Sequence, residues 1–172
     1  MRRSQTGRRT SVSPPALTSP QSPAYFLVAL SPDWYMPRCR VTRRVHFNAA
    51  HRLHNPDATE AWNRATYGVC NNPNFHGHNY ELDLSVEGEI DPRTGYVMDL
   101  NHLKDLAQER LLRHLDHKNL NLDVPWFRDL IPTSENIALV CWRELRAALP
   151  AELTLRLRLW ETPRNYVDFE GE

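Results

Sequence analysis

From His76 to Glu87 the chain alternates with a period of two, and this pattern limits the fold more than any other feature. His78, Tyr80, Leu82, Leu84 and Val86 fall on one side; Asn79, Glu81, Asp83, Ser85 and Glu87 fall on the other. Successive side chains of a strand point to opposite faces, so His76 to Val86 reads as a half-buried strand. Leu153, Leu155, Leu157 and Leu159 alternate in the same way with Thr154, Arg156, Arg158 and Trp160, which predicts another strand. Val41 to Ala50, rich in β-branched and small residues, predicts a third, and Asn165 to Phe169 a short last one.

The helical signals lie between these strands. Asp91-Pro92-Arg93-Thr94-Gly95 reads as a turn, and Asp99 as the N-cap of a helix carrying Leu103, Leu106, Leu111 and Leu115. Pro132-Thr133-Ser134-Glu135 reads as a second helix start, with Ile137, Val140, Cys141 and Leu145 as its apolar stripe and Pro150 as its stop. His54 to Asn74, dotted with Asn, Pro and Gly, reads as a loop. The resulting order is β-β-α-α-β-β, an α+β arrangement with two helices on one face of an antiparallel sheet.

A chain of 172 residues fits one domain of ordinary size. Residues 1–36 differ from the rest: Ser, Pro and Arg dominate, and no apolar periodicity offsets the entropy of ordering them. They read as a disordered extension or, if Met36 is the true start, a spurious one, which leaves 37–172 as the domain. The apolar run Ala24 to Leu30 is short for a secretory signal and lacks a small-residue cleavage site. Lys+Arg and Asp+Glu both number 21, so charge gives no argument for nucleic acid or an anionic membrane surface. No apolar run is long enough to span a bilayer. Three cysteines with no paired spacing argue against a disulfide framework and point to a reducing cytoplasm.

All 8 histidines fall between His46 and His117. His76-Gly77-His78 is the sharpest local signal. In a strand, residues i and i+2 point the same way with Cα atoms roughly 6.5 Å apart, so two imidazoles can converge on one ion. Gly77 would leave room for the backbone near the metal. The bland alternative is two surface histidines on an edge strand. His51, at the end of the first strand after Ala49-Ala50, supplies a third ligand; His46, five residues earlier, falls on the opposite face and is a bystander. His54, His102 and His114 read as surface or helix-face residues. Three histidines and an open position form the catalytic zinc pattern, in which the metal acts as a Lewis acid on a substrate oxygen. Cys70 remains an alternative ligand, which would make the site closed and structural.

Cys70-Asn71-Asn72-Pro73-Asn74-Phe75-His76-Gly77-His78-Asn79-Tyr80 closely resembles the signature of the 6-pyruvoyl tetrahydropterin synthase family. The resemblance continues in Phe47 to Leu53, Leu115 to Leu120, Thr133 to Asn136 and Glu161-Thr162-Pro163, in order across residues 41–172. It implies the T-fold, in which three subunits close a barrel and two trimers stack into a homo-hexamer; closure removes exposed sheet edges. It implies a zinc-dependent lyase that removes triphosphate from 7,8-dihydroneopterin triphosphate to give 6-pyruvoyltetrahydropterin. The same motifs serve 6-carboxytetrahydropterin synthase, which releases acetaldehyde and belongs to queuosine synthesis. A non-catalytic pterin- and zinc-binding hexamer is the third reading.

By resemblance the metal ligands are His51, His76 and His78, and Cys70 is the base, with His117 as proton relay and Asp116 as its orienter. A free thiol has a pKa near ~8.5 and needs such a partner to ionise at neutral pH. Adjacent side chains seldom bond to each other, so Asp116 and His117 are expected to act on a Cys70 from another subunit; on residues alone they read as a helix C-terminal pair. Glu161 matches the pterin anchor, since a carboxylate accepts two parallel N–H bonds from an amino-pyrimidinone edge. Thr133 and Glu135 read as a helix cap with an acidic first turn, and the family also places this segment near the pterin. No Gly-rich phosphate cradle is visible; the triphosphate is expected to lie among Lys, Arg and Ser side chains, with Mg²⁺ as a candidate companion. Phe75 stands where pyruvoyl-forming members usually have Gly.

Overall fold

The computed structural model describes residues 37–171; the extension read from sequence, residues 1–36 with Met36, lies outside them. Among the described residues, five strands form one sheet: β1 Arg38–His51, β2 His76–Glu89, β3 Lys118–Asn119, β4 Thr154–Thr162 and β5 Asn165–Phe169, in the order β3-β1-β2-β4-β5. The long β1–β2 pair is antiparallel from Arg38↔Glu89 to His51↔His76. β4 and β5 extend the sheet antiparallel on one side. β3 joins β1 in parallel at Ala49 and Ala50, so the sheet is mixed rather than purely antiparallel.

The register is written on both faces. On one face Val45, Phe47, Tyr80, Leu82, Leu84, Val86, Leu155, Leu157 and Leu159 are buried. On the other, opposite charges or hydroxyls sit directly across the strands: Arg40 with Glu87, Thr42 with Ser85, Arg44 with Asp83, and Arg158 with Asp168. Each exposed ion pair contributes little on its own, about 0–1 kcal/mol. A one-residue slip, however, would bury the charges and expose the leucines together.

Helices cover the apolar face. The helix α1 spans Glu60–Tyr67, α2 Leu100–Ala107, α3 Leu120–Asp123 and α4 Ser134–Arg146. Asp99 caps α2 by accepting from Asn101 N, and Thr133 caps α4 by accepting from Asn136 N, as the sequence indicated. The core stripe of α2 and its continuation is Leu103, Ala107, Leu111 and Leu115, with Ala107 in the place expected for Leu106. A strict four-residue repeat drifts by about 40° per step around an α-helix. The wider π turn at Gln108–Leu112 takes up that drift and keeps the stripe on the core.

Helix α1 lies inside the stretch read as a loop. Its buried anchor is polar: the Asn63 side chain donates to Asn55 O and accepts from Asn55 N. With an Asn in place of an apolar stripe, hydrophobic periodicity does not reveal it. Among the described residues, α1, α3 and the short helical turn Arg113–Leu115 thus add to the two expected helices, and α2 and α4 form the layer on the sheet. No helix among the described residues is long and apolar enough to cross a membrane.

Candidate metal centre

The ends of β1 and β2 meet at His51↔His76, and their core-facing side there carries imidazoles instead of apolar groups. His51, His76 and His78 each offer a ring nitrogen, and these atoms lie within 4.8 Å of one another. The ring centroids form a near-equilateral triangle of 4.5, 5.0 and 5.0 Å. His46 is exposed on the far face of β1, as its five-residue offset requires. Cys70 is not in the cluster, and the closed four-ligand alternative finds no support in the geometry.

The donor set fits a divalent metal. His51, fully buried, donates Nδ1–H to the Pro132 carbonyl at 2.8 Å, which leaves the Nε2 lone pair facing His76 Nε2 at 3.0 Å. His78 Nε2 and His76 Nδ1 are buried with no hydrogen-bond partner among the described residues. Buried polar atoms without partners are costly, and a cation between the rings would satisfy His78 Nε2. Burial lowers the pKa of His51 and of His76, which keeps both rings neutral and able to ligate. The Pro132 carbonyl plays the outer part usual behind a ligating histidine, fixing the ring's tautomer and angle.

Gly77 serves a different purpose from the one its place between two histidines suggests. A Cβ there would lie 3.1 Å from the Ala49 carbonyl oxygen on the opposite strand. The glycine permits close β1–β2 contact, on the face away from the imidazoles.

Glu161 lies against the cluster. Its Oε1 lies 3.7 Å from His78 Nε2 and 3.8 Å from His51 Nε2. Glu161 continues the core-facing series Leu155, Leu157 and Leu159, so alternation puts it on the imidazole side of the sheet, and the β4–β5 register slips beside it between Trp160 and Thr162. Cys70 sits half-buried in the 3₁₀ turn Gly68–Asn71. Burial, and after it the Glu161 charge, push its thiol pKa up rather than down.

Asp116 and His117 follow the helical turn Arg113–Leu115 and are held to β1 at one residue. Asp116 Oδ1 accepts from Asn48 N at 2.8 Å, and His117 N donates to Asn48 O at 2.7 Å. Against expectation the adjacent side chains do bond: His117 Nδ1 lies 3.0 Å from Asp116 Oδ2. The reason is His117's φ of +58°, a left-handed kink that folds its ring back over its neighbour. The Asn48 N–H, and then His117, hold the Asp116 carboxyl below the usual carboxylate range. The His117 side chain is 78% exposed. Thr133 caps α4 and Glu135 lies exposed in its first turn; Pro132, beside Thr133, supplies the carbonyl behind His51.

Residues outside the sequence-derived set also shape the site. Leu53 N donates to Cys70 O at 2.9 Å, Arg52 Nε to Asn71 O at 3.0 Å, and the ring nitrogen His54 Nδ1 lies 3.0 Å from Asn71 Oδ1. The stretch after His51 thus grips the turn that carries Cys70. The sequence signal for this was the unusual density of Asn around Cys70.

A model of the family described as 6-pyruvoyl tetrahydropterin synthase matches residues 40–172. The 6-pyruvoyl tetrahydrobiopterin synthase of Homo sapiens is 44% identical over 137 residues, covering 78% of this chain and 94% of that protein. The dihydroneopterin monophosphate aldolase of Pyrococcus furiosus is 36% identical over 134 residues, covering 77% of this chain and 98% of its own. The solved structure of Caenorhabditis elegans 6-pyruvoyl tetrahydropterin synthase superposes with a TM-score of 0.76 at 39% identity, covering 80% of this chain and 98% of that one. The fold is the T-fold, and the chain belongs to the 6-pyruvoyl tetrahydropterin synthase family.

Proposed function

We propose that this chain is a zinc-dependent lyase that eliminates triphosphate from 7,8-dihydroneopterin triphosphate and yields 6-pyruvoyltetrahydropterin. One observation carries the reading: three imidazoles of a family member converge with their nitrogens within 4.8 Å. His51, His76 and His78 are the ligands, and three neutral imidazoles suit Zn²⁺. Bound there, zinc supplies Lewis acidity toward the substrate's side-chain oxygens and so acidifies the adjoining C–H.

The protein residues then divide the work. Glu161 accepts N–H bonds from the pterin edge and sets the ring's place beside the imidazoles. Thr133 and Glu135 border that place through the Pro132 turn. Cys70 removes the side-chain proton, and the triphosphate leaves with the electron pair of its C–O bond. With its thiol raised by burial and by Glu161, Cys70 needs a base. Asp116 accepts Nδ1–H from His117, which leaves Nε2 free to take the thiol proton.

His117 is too exposed for a water-free site within one chain, so the reading includes assembly. Among the described residues, the outer edges of β5 and of β1 from Arg38 to Asn48 carry no further strand. Open edges of that length favour barrel closure between copies, in a homo-hexamer built as a dimer of trimers. The active unit is 37–172, with residues 1–36 outside it. Three free cysteines suit a cytoplasmic location.

Incubation with dihydroneopterin triphosphate tests the proposal. Release of triphosphate with a pyruvoyl pterin supports it. Release of acetaldehyde would transfer the chain to the carboxy-forming reaction, and no triphosphate release would leave a non-catalytic binder.

A further inference from the structure

Most arginines on the outer face of the sheet are already matched by carboxylates. Arg40 pairs with Glu87, Arg44 with Asp83 and Glu81, Arg156 with Glu170, and Arg158 with Asp168. Arg52 and Arg64 are different. Arg52 uses Nε on Asn71 O and Oδ1, at 3.0 and 3.1 Å, and forms no ion pair with the described residues. Arg64, in the last turn of α1, has neither an ion pair nor a side-chain hydrogen bond with the described residues. Both line one hollow of about 490 Å³, together with Glu60, Gly68, Asn71 and Asn72.

The position of this hollow is set by the chain itself. Arg52 directly follows the metal-cluster residue His51, and Asn71 directly follows Cys70. The Arg52–Asn71 bonds and the Leu53 N to Cys70 O bond draw those two stretches together. Two residues of this lining, Arg52 and Asn71, are thus the bonded chain neighbours of His51 and Cys70, which ties the hollow to the site at both ends. Two guanidinium groups without carboxylate partners, beside two side-chain amides, are donors suited to a polyanion. Glu60 is the one acid in the lining and opposes this charge.

We infer that the Arg52–Arg64 hollow receives the phosphate chain of the substrate, with Arg64 as the residue that separates a triphosphorylated pterin from a phosphate-free one. The inference rests on the function proposed above and assigns the leaving-group end of that same substrate. Arg52 fixes the near end of the chain and Arg64 the far end. Glu60 limits the affinity, which favours release of the free triphosphate.

Titration of inorganic triphosphate into the zinc-loaded protein tests this, with neopterin as the phosphate-free probe. Arg64→Ala is expected to weaken inorganic triphosphate about tenfold and to raise KM alike, while kcat, zinc content and neopterin affinity hold. Arg64→Lys recovers part of the loss, because it restores the charge without the fork. Glu60→Gln tightens triphosphate binding. Equal affinity for inorganic triphosphate in wild type and Arg64→Ala, with the lyase reaction intact, overturns the inference and leaves the function standing. Arg64-dependent triphosphate binding in a protein that turns over no dihydroneopterin triphosphate upholds the anion site and overturns the function.

Discussion

His51 and Pro132, 81 residues apart in sequence, are joined by a hydrogen bond of 2.8 Å from the imidazole Nδ1 to the backbone carbonyl. The bond couples the metal cluster to the N-terminus of α4. Thr133 Oγ1 accepts from Asn136 N, and Asn136 Nδ2 donates to Ile131 O, so both residues hold the turn that presents the carbonyl. Thr133→Ala is expected to cost about 1 kcal/mol in urea unfolding, as loss of an N-cap does. It is also expected to weaken zinc several-fold in a chelator competition. A stability loss with unchanged zinc affinity would show that the turn does not orient His51.

Phe75 is, with His117, one of two non-glycine residues among the described residues with positive φ, at 63°. A left-handed bulky residue carries strain of about 1–2 kcal/mol that glycine does not. Phe75→Gly is therefore expected to be more stable than Phe75→Ala by about 1 kcal/mol, the reverse of the usual order. Thermal unfolding of the two variants decides it; a more stable alanine variant would mean that the kink carries no strain.

Asp116 gives the fold a defined acid sensitivity. Its carboxyl pKa lies below its ordinary value of 3.8 because Asn48 N–H, and then His117, favour the charged form. The unfolded chain then binds the proton more readily. The stabilisation is complete above the ordinary carboxylate range and fades as pH falls through the lowered pKa. Asp116→Asn is expected to lose less stability than wild type between about pH 5 and pH 3 in urea titrations. Parallel losses in the two proteins would remove Asp116 from the account of acid unfolding.

Much of this was legible in the sequence because it follows from strand alternation. The core face of β2, the shared direction of His76 and His78, and the opposite fates of His46 and His51 all rest on a period of two. The Asp116–His117 bond was not legible, because it depends on the φ of His117, and a histidine is not a residue whose sequence announces a left-handed turn. Glu161 was legible, since it shares the parity of Leu155, Leu157 and Leu159 and alternation puts it on the imidazole face. Helix α1 is pinned by Asn63 rather than by an apolar stripe, and the groups behind His51 and around Cys70 include backbone carbonyls that carry no residue signature.

Glu161 also acts on Cys70. Burial is the larger cause of the raised thiol pKa, and the Glu161 charge adds to it. Removing that charge lowers the pKa. Glu161→Gln is therefore expected to speed alkylation of Cys70 by iodoacetamide at neutral pH and to move the alkylation profile toward lower pH. Unchanged profiles would place Glu161 too far from the thiol to act on it.

The convergence of His51, His76 and His78 on one ion is tested most directly by elemental analysis of protein purified without chelator, alongside His78→Ala. The expected result is one zinc per chain in wild type and none in the variant, with both proteins folded by circular dichroism. Wild type without a transition metal, or a His78→Ala variant that keeps its full zinc, would contradict the metal centre and the lyase chemistry built on it.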